Sequence, residues 1–238
     1  IDTGYTEWGA SGLAAVWAEE NTRESIYNAF RRKETFATTG SRIKVRFFGG
    51  YEIDDIFNKE DPINYAYSNG ITMGSDLFQS ENKIPQFMVW ALRDLKRAPL
   101  DRVQIIKGWT ELSGKPHEKI YDVACADGRR PDSKTKLCKD SRAKVNLNNC
   151  RISKNLGADE LKAVWQDPDF DPNLKAFYYV RVLENPTCRW SSWDAIKSGE
   201  IPRADLPATI QERAWSSPIW YIPNNEGITI GNILPDDI

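Results

Sequence analysis

The sequence predicts an α+β chain that is mainly β, with an antiparallel, sandwich-like region running from residue 42 onward. Three observations carry this expectation. Short runs of alternating apolar and polar residues recur along the chain, each about the length of a strand. Turn-forming clusters such as Ser113-Gly114-Lys115-Pro116 separate them. Clear helical spacing occurs in one stretch only, after Asn21. Sheets of this kind pair through short turns and need a second layer over their apolar face.

Residues 1–41 read as loop, strand and helix. Gly12 to Ala18 is almost continuously apolar, as a fully buried strand or the lining of a closed barrel would be. Asn21 followed by Glu24 has capping-box character, and Ile26, Ala29 and Phe30 then share one helical face. That stripe must pack on something. Thr35 to Gly40 ends the element. In residues 42–238 the strands follow in order. Arg42 to Phe48 alternates, with Ile43, Val45 and Phe47 on one face; Gln86 to Leu92 looks covered on both. Arg102 to Trp109 and Lys119 to Ala124 continue the pattern. Asp159 to Trp165 has a helical composition, yet Leu161, Ala163 and Trp165 alternate, which makes it a strand. Ala176 to Leu183 is the richest in aromatic and β-branched residues. Arg213 to Tyr221 is broken by Pro218, a sign of an edge or a bulge. Asn224 to Ile238 reads as a surface-hugging tail.

With 32 Lys and Arg against 34 Asp and Glu, the net charge of -2 gives no general attraction to nucleic acid or anionic lipid. No apolar run reaches the roughly 20 residues of a membrane span. The chain opens on Ile1 without an initiator Met, so it reads as processed or excised from something longer. Its cysteines, Cys125, Cys138, Cys150 and Cys188, form no CxxC pair, and His117 is the one histidine available to join them on a metal. Two disulfides fit better, and with them an oxidising, periplasmic or secreted location. Of three possible pairings, Cys125 with Cys138 and Cys150 with Cys188 is the one expected. The first closes Ala126 to Ser133, a loop too polar to pack itself, and is worth about 3 kcal/mol in the chain-entropy account.

Several longer motifs carry a resemblance. Gly12-Leu13-Ala14-Ala15-Val16-Trp17-Ala18-Glu19-Glu20-Asn21-Thr22-Arg23-Glu24, continued to Thr38-Thr39-Gly40, resembles the closing segment of hydrolases of the polymerase and histidinol phosphatase (PHP) superfamily. More narrowly, it resembles a bacterial family known as a domain of unknown function, to which carbaryl-hydrolase-like metallohydrolases are related. Ala176 to Glu184 and Pro207 to Tyr221 extend the likeness over nearly the whole chain. The resemblance implies a distorted α/β (PHP-type) barrel whose last strand-loop-helix is residues 1–41, followed by the β-rich region at 42–238. It also implies divalent metal ions held by His, Asp and Glu residues upstream of this chain. The His-rich motifs are absent here, so no ligand carries over and no cofactor is expected in this chain.

Glu19 and Glu20, just ahead of the helix, then lie near the barrel rim where active sites gather, either facing substrate or supporting the residues that touch it; dipole complementation at a helix start is the plainer account. Trp190 and Trp193, flanking Ser191-Ser192, are the candidates for stacking on glycans, whereas Trp90, Trp165, Trp215 and Trp220 read as core. Asp167, Asp169 and Asp171 lack the glycine and closing Glu of a calcium loop and read as a solvated turn. His117 reads as a surface residue. The functional expectation is the C-terminal portion of a metal-dependent ester or phosphoester hydrolase, partnered through residues 12–36 by the barrel part or by a second copy. The alternative is a non-catalytic β-sandwich that binds glycan or protein.

Overall fold

The computed structural model describes residues 4–224. A short 3-10 turn at Gly4–Glu7 leads to β1 (Leu13–Val16), α1 (Arg23–Arg31), β2 (Thr35–Thr38) and β3 (Lys44–Gly50). Then come α2 (Pro62–Asn69), β4 (Ile71–Thr72), β5 (Asp76–Phe78), β6 (Gln86–Leu92), β7 (Leu100–Thr110) and β8 (Pro116–Cys125). The short β9 (Val145–Asn146) and β10 (Arg151–Ile152) precede β11 (Glu160–Gln166), β12 (Ala176–Glu184) and β13 (Thr187–Cys188). The chain continues through α3 (Trp190–Ser198), β14 (Thr209–Ile210), β15 (Arg213–Ser216) and β16 (Ile219–Ile222). The tail expected from Asn224 to Ile238 lies, beyond its first residue, outside the described residues.

Two sheets face each other. The larger has eight strands centred on β12, which pairs antiparallel with β7 along one edge; β8 lies beyond β7. Along its other edge β12 meets β15 at Arg181–Leu183 and β16 at Ala176–Tyr178. Pro218 sits at the break between those two strands, where a residue without an N–H interrupts the ladder. β15 continues through β2 to β1, and β16 pairs parallel with β5. The smaller sheet runs β11-β6-β3-β4. Alternation decides what lies between them. Val45, Phe47, Phe87, Val89, Val103, Ile105, Tyr178 and Val180 are buried in one cluster, and Phe87 packs on Tyr178 at a centroid distance of 4.3 Å. This is the mainly β, antiparallel, sandwich-like architecture expected.

The outer face of the smaller sheet carries a second cluster, Phe48, Ile53, Ile56, Ala66 and Met88, covered by α2. This helix has its own start signal. The Asp61 carboxylate accepts from the backbone N–H groups of Ile63 and Asn64, and Pro62 occupies the first helical position. In α1 the cap is Thr22, one residue later than the expected Asn21, accepting from the Ser25 N–H. The apolar run at Gly12–Ala18 is no buried strand: β1 is the outermost strand beside β2, and Leu13 is 42% exposed. Of the aspartates after β11, Asp169 and Asp171 are exposed, as in the expected solvated turn, and Asp167 departs from it. Asp167 is buried, pairs with the Lys107 ammonium at 2.5 Å and accepts from the Tyr178 hydroxyl at 2.8 Å. Trp220, expected in the core, is 44% exposed on the outer face of the larger sheet.

Disulfides join Cys125 to Cys138 and Cys150 to Cys188. They suit an oxidising compartment. Among the described residues no helix is long and apolar enough to cross a membrane.

Candidate functional site

The segment singled out by its sequence, residues 12–36, wraps one wall of a cavity of about 490 Å³ on the outer side of the smaller sheet. Its organising side chain is Glu34, buried at 2% exposure. The end of α1 places it there. Lys33 adopts a left-handed backbone, φ 57°, and the Glu34 N–H reaches back to the Ala29 carbonyl at 3.0 Å, the six-residue closure of a Schellman turn. Gly74 backs this turn. A Cβ on it would collide with the Lys33 carbonyl, and its own φ of 89° suits glycine.

Four side chains converge on the Glu34 carboxylate. The Tyr67 hydroxyl from α2 donates to it, as does the Thr72 hydroxyl from β4 at 3.2 Å. The guanidiniums of Arg46, from β3, and Arg32 each lie 3.5 Å away. Arg46 is itself held: it lies 3.4 Å over the Trp17 ring and donates to the Tyr67 oxygen at 2.5 Å. Trp17 is pinned in turn, its indole N–H reaching the Val45 carbonyl at 2.8 Å. Burial, and then the bond to Glu34, push the Tyr67 phenol up to about 12, so it remains a donor at neutral pH. The result is a fixed acceptor beside two guanidiniums, one of them 44% exposed. A smaller apolar hollow lined by Trp17, Ile63, Trp90 and Leu92 adjoins it across Arg46. Such a groove can seat a polar group against the guanidiniums and an apolar body against the indoles.

Glu19 lines this cavity, whereas Glu20 is not among its lining residues and donates its backbone N–H to the Ser25 hydroxyl. Trp190 opens α3, where its indole N–H donates to the Trp8 carbonyl and its ring lies 6.0 Å from Tyr5. Trp193 is 41% exposed with Lys197 over its ring. His117 starts β8, stacked on Trp109 and 2.6 Å from Glu111. Sequence reasoning passed over Glu34, Arg46 and Tyr67. Arg46 stands on the polar face of an alternating strand, where a charge usually means solvent, and the signal that could have found Tyr67 is the Asp61-Pro62 start of its helix. Among the described residues no group of three or more His, Cys, Asp and Glu side chains is placed to hold a metal ion.

A sequence model of the family described as "Protein of unknown function (DUF3604)" matches residues 2–223. The chain belongs to this family. The match spans both sheets and the Glu34 cavity, every strand and helix of the fold. No match is found among curated proteins or among solved structures.

Proposed function

We propose that this DUF3604 chain is the C-terminal portion of a metal-dependent hydrolase of the PHP-like kind, acting on an ester or phosphoester. In this reading it is secreted or periplasmic, in keeping with its two disulfides. One observation carries the reading: Leu13, Tyr27 and Phe30 stand exposed on β1 and α1, the same segment that supplies Trp17, Glu19, Arg32 and Glu34 to the cavity. A body seated on those apolar residues would close over the groove. Hydrolysis of this class draws its nucleophile from a metal-bound water. The described residues offer no cluster for such ions, so this chain's share is to bind and orient. Arg32 and Arg46 face the leaving or bridging oxygens, Glu34 holds Arg46, and Trp17 and Trp90 line the apolar side.

The test compares this chain with the longer polypeptide that would precede it, each incubated with zinc or manganese and assayed on p-nitrophenyl acetate and p-nitrophenyl phosphate. The longer protein is expected to bind metal and turn over one substrate, with Arg46→Ala costing it about tenfold to a hundredfold in kcat/KM, the scale of one lost charged contact. Stoichiometric metal and full turnover by this chain alone would sink the reading. A second reading, a glycan- or protein-binding sandwich, is favoured by the row Phe177, Tyr179 and Trp220 on the outer face of the larger sheet. Retention on immobilised polysaccharide, lost in Trp220→Ala, would support it.

A further inference from the structure

On the outer face of the larger sheet lies a separate cleft of about 600 Å³, floored by β7 and β8. Its floor is a fixed chain of alternating charges. Arg129 donates to Asp101 at 2.7 Å, Arg102 donates to the other oxygen of Asp101, and the Arg102 Nε lies 3.7 Å from Asp122. Asp122 also accepts from Gln104 at 2.6 Å, and Gln104 in turn accepts from Arg181 at 2.6 Å. Asp101, Gln104 and Asp122 are all nearly buried. Both disulfides brace the walls. Cys138 lines the cleft and its N–H is bonded to Asp122 at 2.5 Å; Cys188 pairs across to Thr209, which with Ile210 forms the facing wall. A polar floor locked by ion pairs and held between covalently fixed walls is a pre-organised recognition surface.

We propose that this cleft binds a small neutral saccharide. Vicinal hydroxyls both donate and accept, and here they meet the exposed Asp140 carboxylate as acceptor, the part-exposed Arg102 guanidinium as donor and the Thr209 hydroxyl as either, while Ile120, Leu137 and Ile210 offer apolar contact to ring carbons. A discrete anion would face Asp101, Asp122 and Asp140 together, and a discrete cation would face Arg102 backed by Arg129 and Arg181. The inference is independent of the Glu34 groove, which lies on the other sheet, and the cleft shares no lining residue with the Phe177, Tyr179 and Trp220 row.

The test is calorimetric titration of the full, oxidised chain with cellobiose, maltose and chitobiose, and separately with inorganic phosphate and putrescine. At least one disaccharide should saturate. Thr209→Trp, an exposed wall position, should weaken it by about tenfold or more by filling the cleft. Arg102→Gln should weaken it similarly while thermal melting reports on the fold. No saturation by any disaccharide overturns the proposal. So does undiminished binding by Thr209→Trp, or blockable binding of phosphate or putrescine in place of sugar.

Discussion

Burying a carboxylate without a partner costs free energy, and ionising it costs more. Glu184, at the end of β12, is fully buried, and no hydrogen bond of good geometry reaches either of its oxygens, with only a weak contribution from the Ser41 hydroxyl. Burial pushes it up to about 7; the Ser41 hydroxyl and Arg97 oppose the shift, while Glu212 and Asp94 add to it. The unfolded chain releases this proton near the ordinary value of 4.5 and the folded chain near 7. Between those values the native state holds a proton that the unfolded state has lost. Stability is therefore full below about pH 4.5, falls as pH rises toward 7 and is level above it, a loss on the order of 3 kcal/mol. Glu184→Gln imitates the protonated form. Its melting temperature should match the parent near pH 4.5 and exceed it by several degrees near pH 8, at roughly 2–4 °C per kcal/mol for a chain of this size. A variant that melts below the parent at both pH values would show that the carboxylate is satisfied in some other way. The buried Lys107–Asp167 pair is the contrasting case, since each charge there has its partner, as does the Tyr178 hydroxyl.

Elements in this chain are held by two different means. The long strands are held by their own alternation, which is why β3, β6, β7 and β12 could be read from sequence: one face of each had to be apolar. β11 was legible despite a helical composition, because Leu161, Ala163 and Trp165 all point at the core it pairs beside. Segments 126–150 and 185–211 have little apolar content and rely on covalent links, so the cysteine pairing was also legible. Breaking the longer link with Cys150→Ser and Cys188→Ser should cost about 4 kcal/mol, given its separation of 38 residues. Urea denaturation should show it; a midpoint unmoved from the parent's would mean the loop is held by its non-covalent contacts. What could not be read were elements without a period to betray them. α2 fully buries only Ala66, and α3 only Ser192, so neither has an apolar stripe. The Glu34 site was hidden for a related reason. Its partners Arg46, Tyr67 and Thr72 come from three other elements, and each alone looks like an ordinary surface residue. The run at Gly12–Ala18 misled because a short apolar run also suits an edge strand beside one neighbour.

At the scale of the whole molecule, two sheets close a well-filled core, yet one flank carries exposed apolar side chains. Among the described residues β1 is the last strand of the eight, with one edge unpaired, and an unblunted edge is a template for further pairing. Beside it α1 buries only Ala29, leaving Tyr27 at 60% and Phe30 at 53% exposure. On the proposed reading, this apolar surface at the sheet edge is where another body docks. Because these side chains make little contact within the chain, Tyr27→Glu with Phe30→Glu should leave the melting temperature within about a degree, the usual range for surface changes. Association should respond instead. The parent chain should either self-associate with rising concentration in light scattering or capture the separately expressed preceding part, and the double variant should do neither. If the parent stays monomeric at all concentrations and the preceding part binds both forms alike, the flank is plain surface and the barrel-docking account of β1 and α1 falls with it.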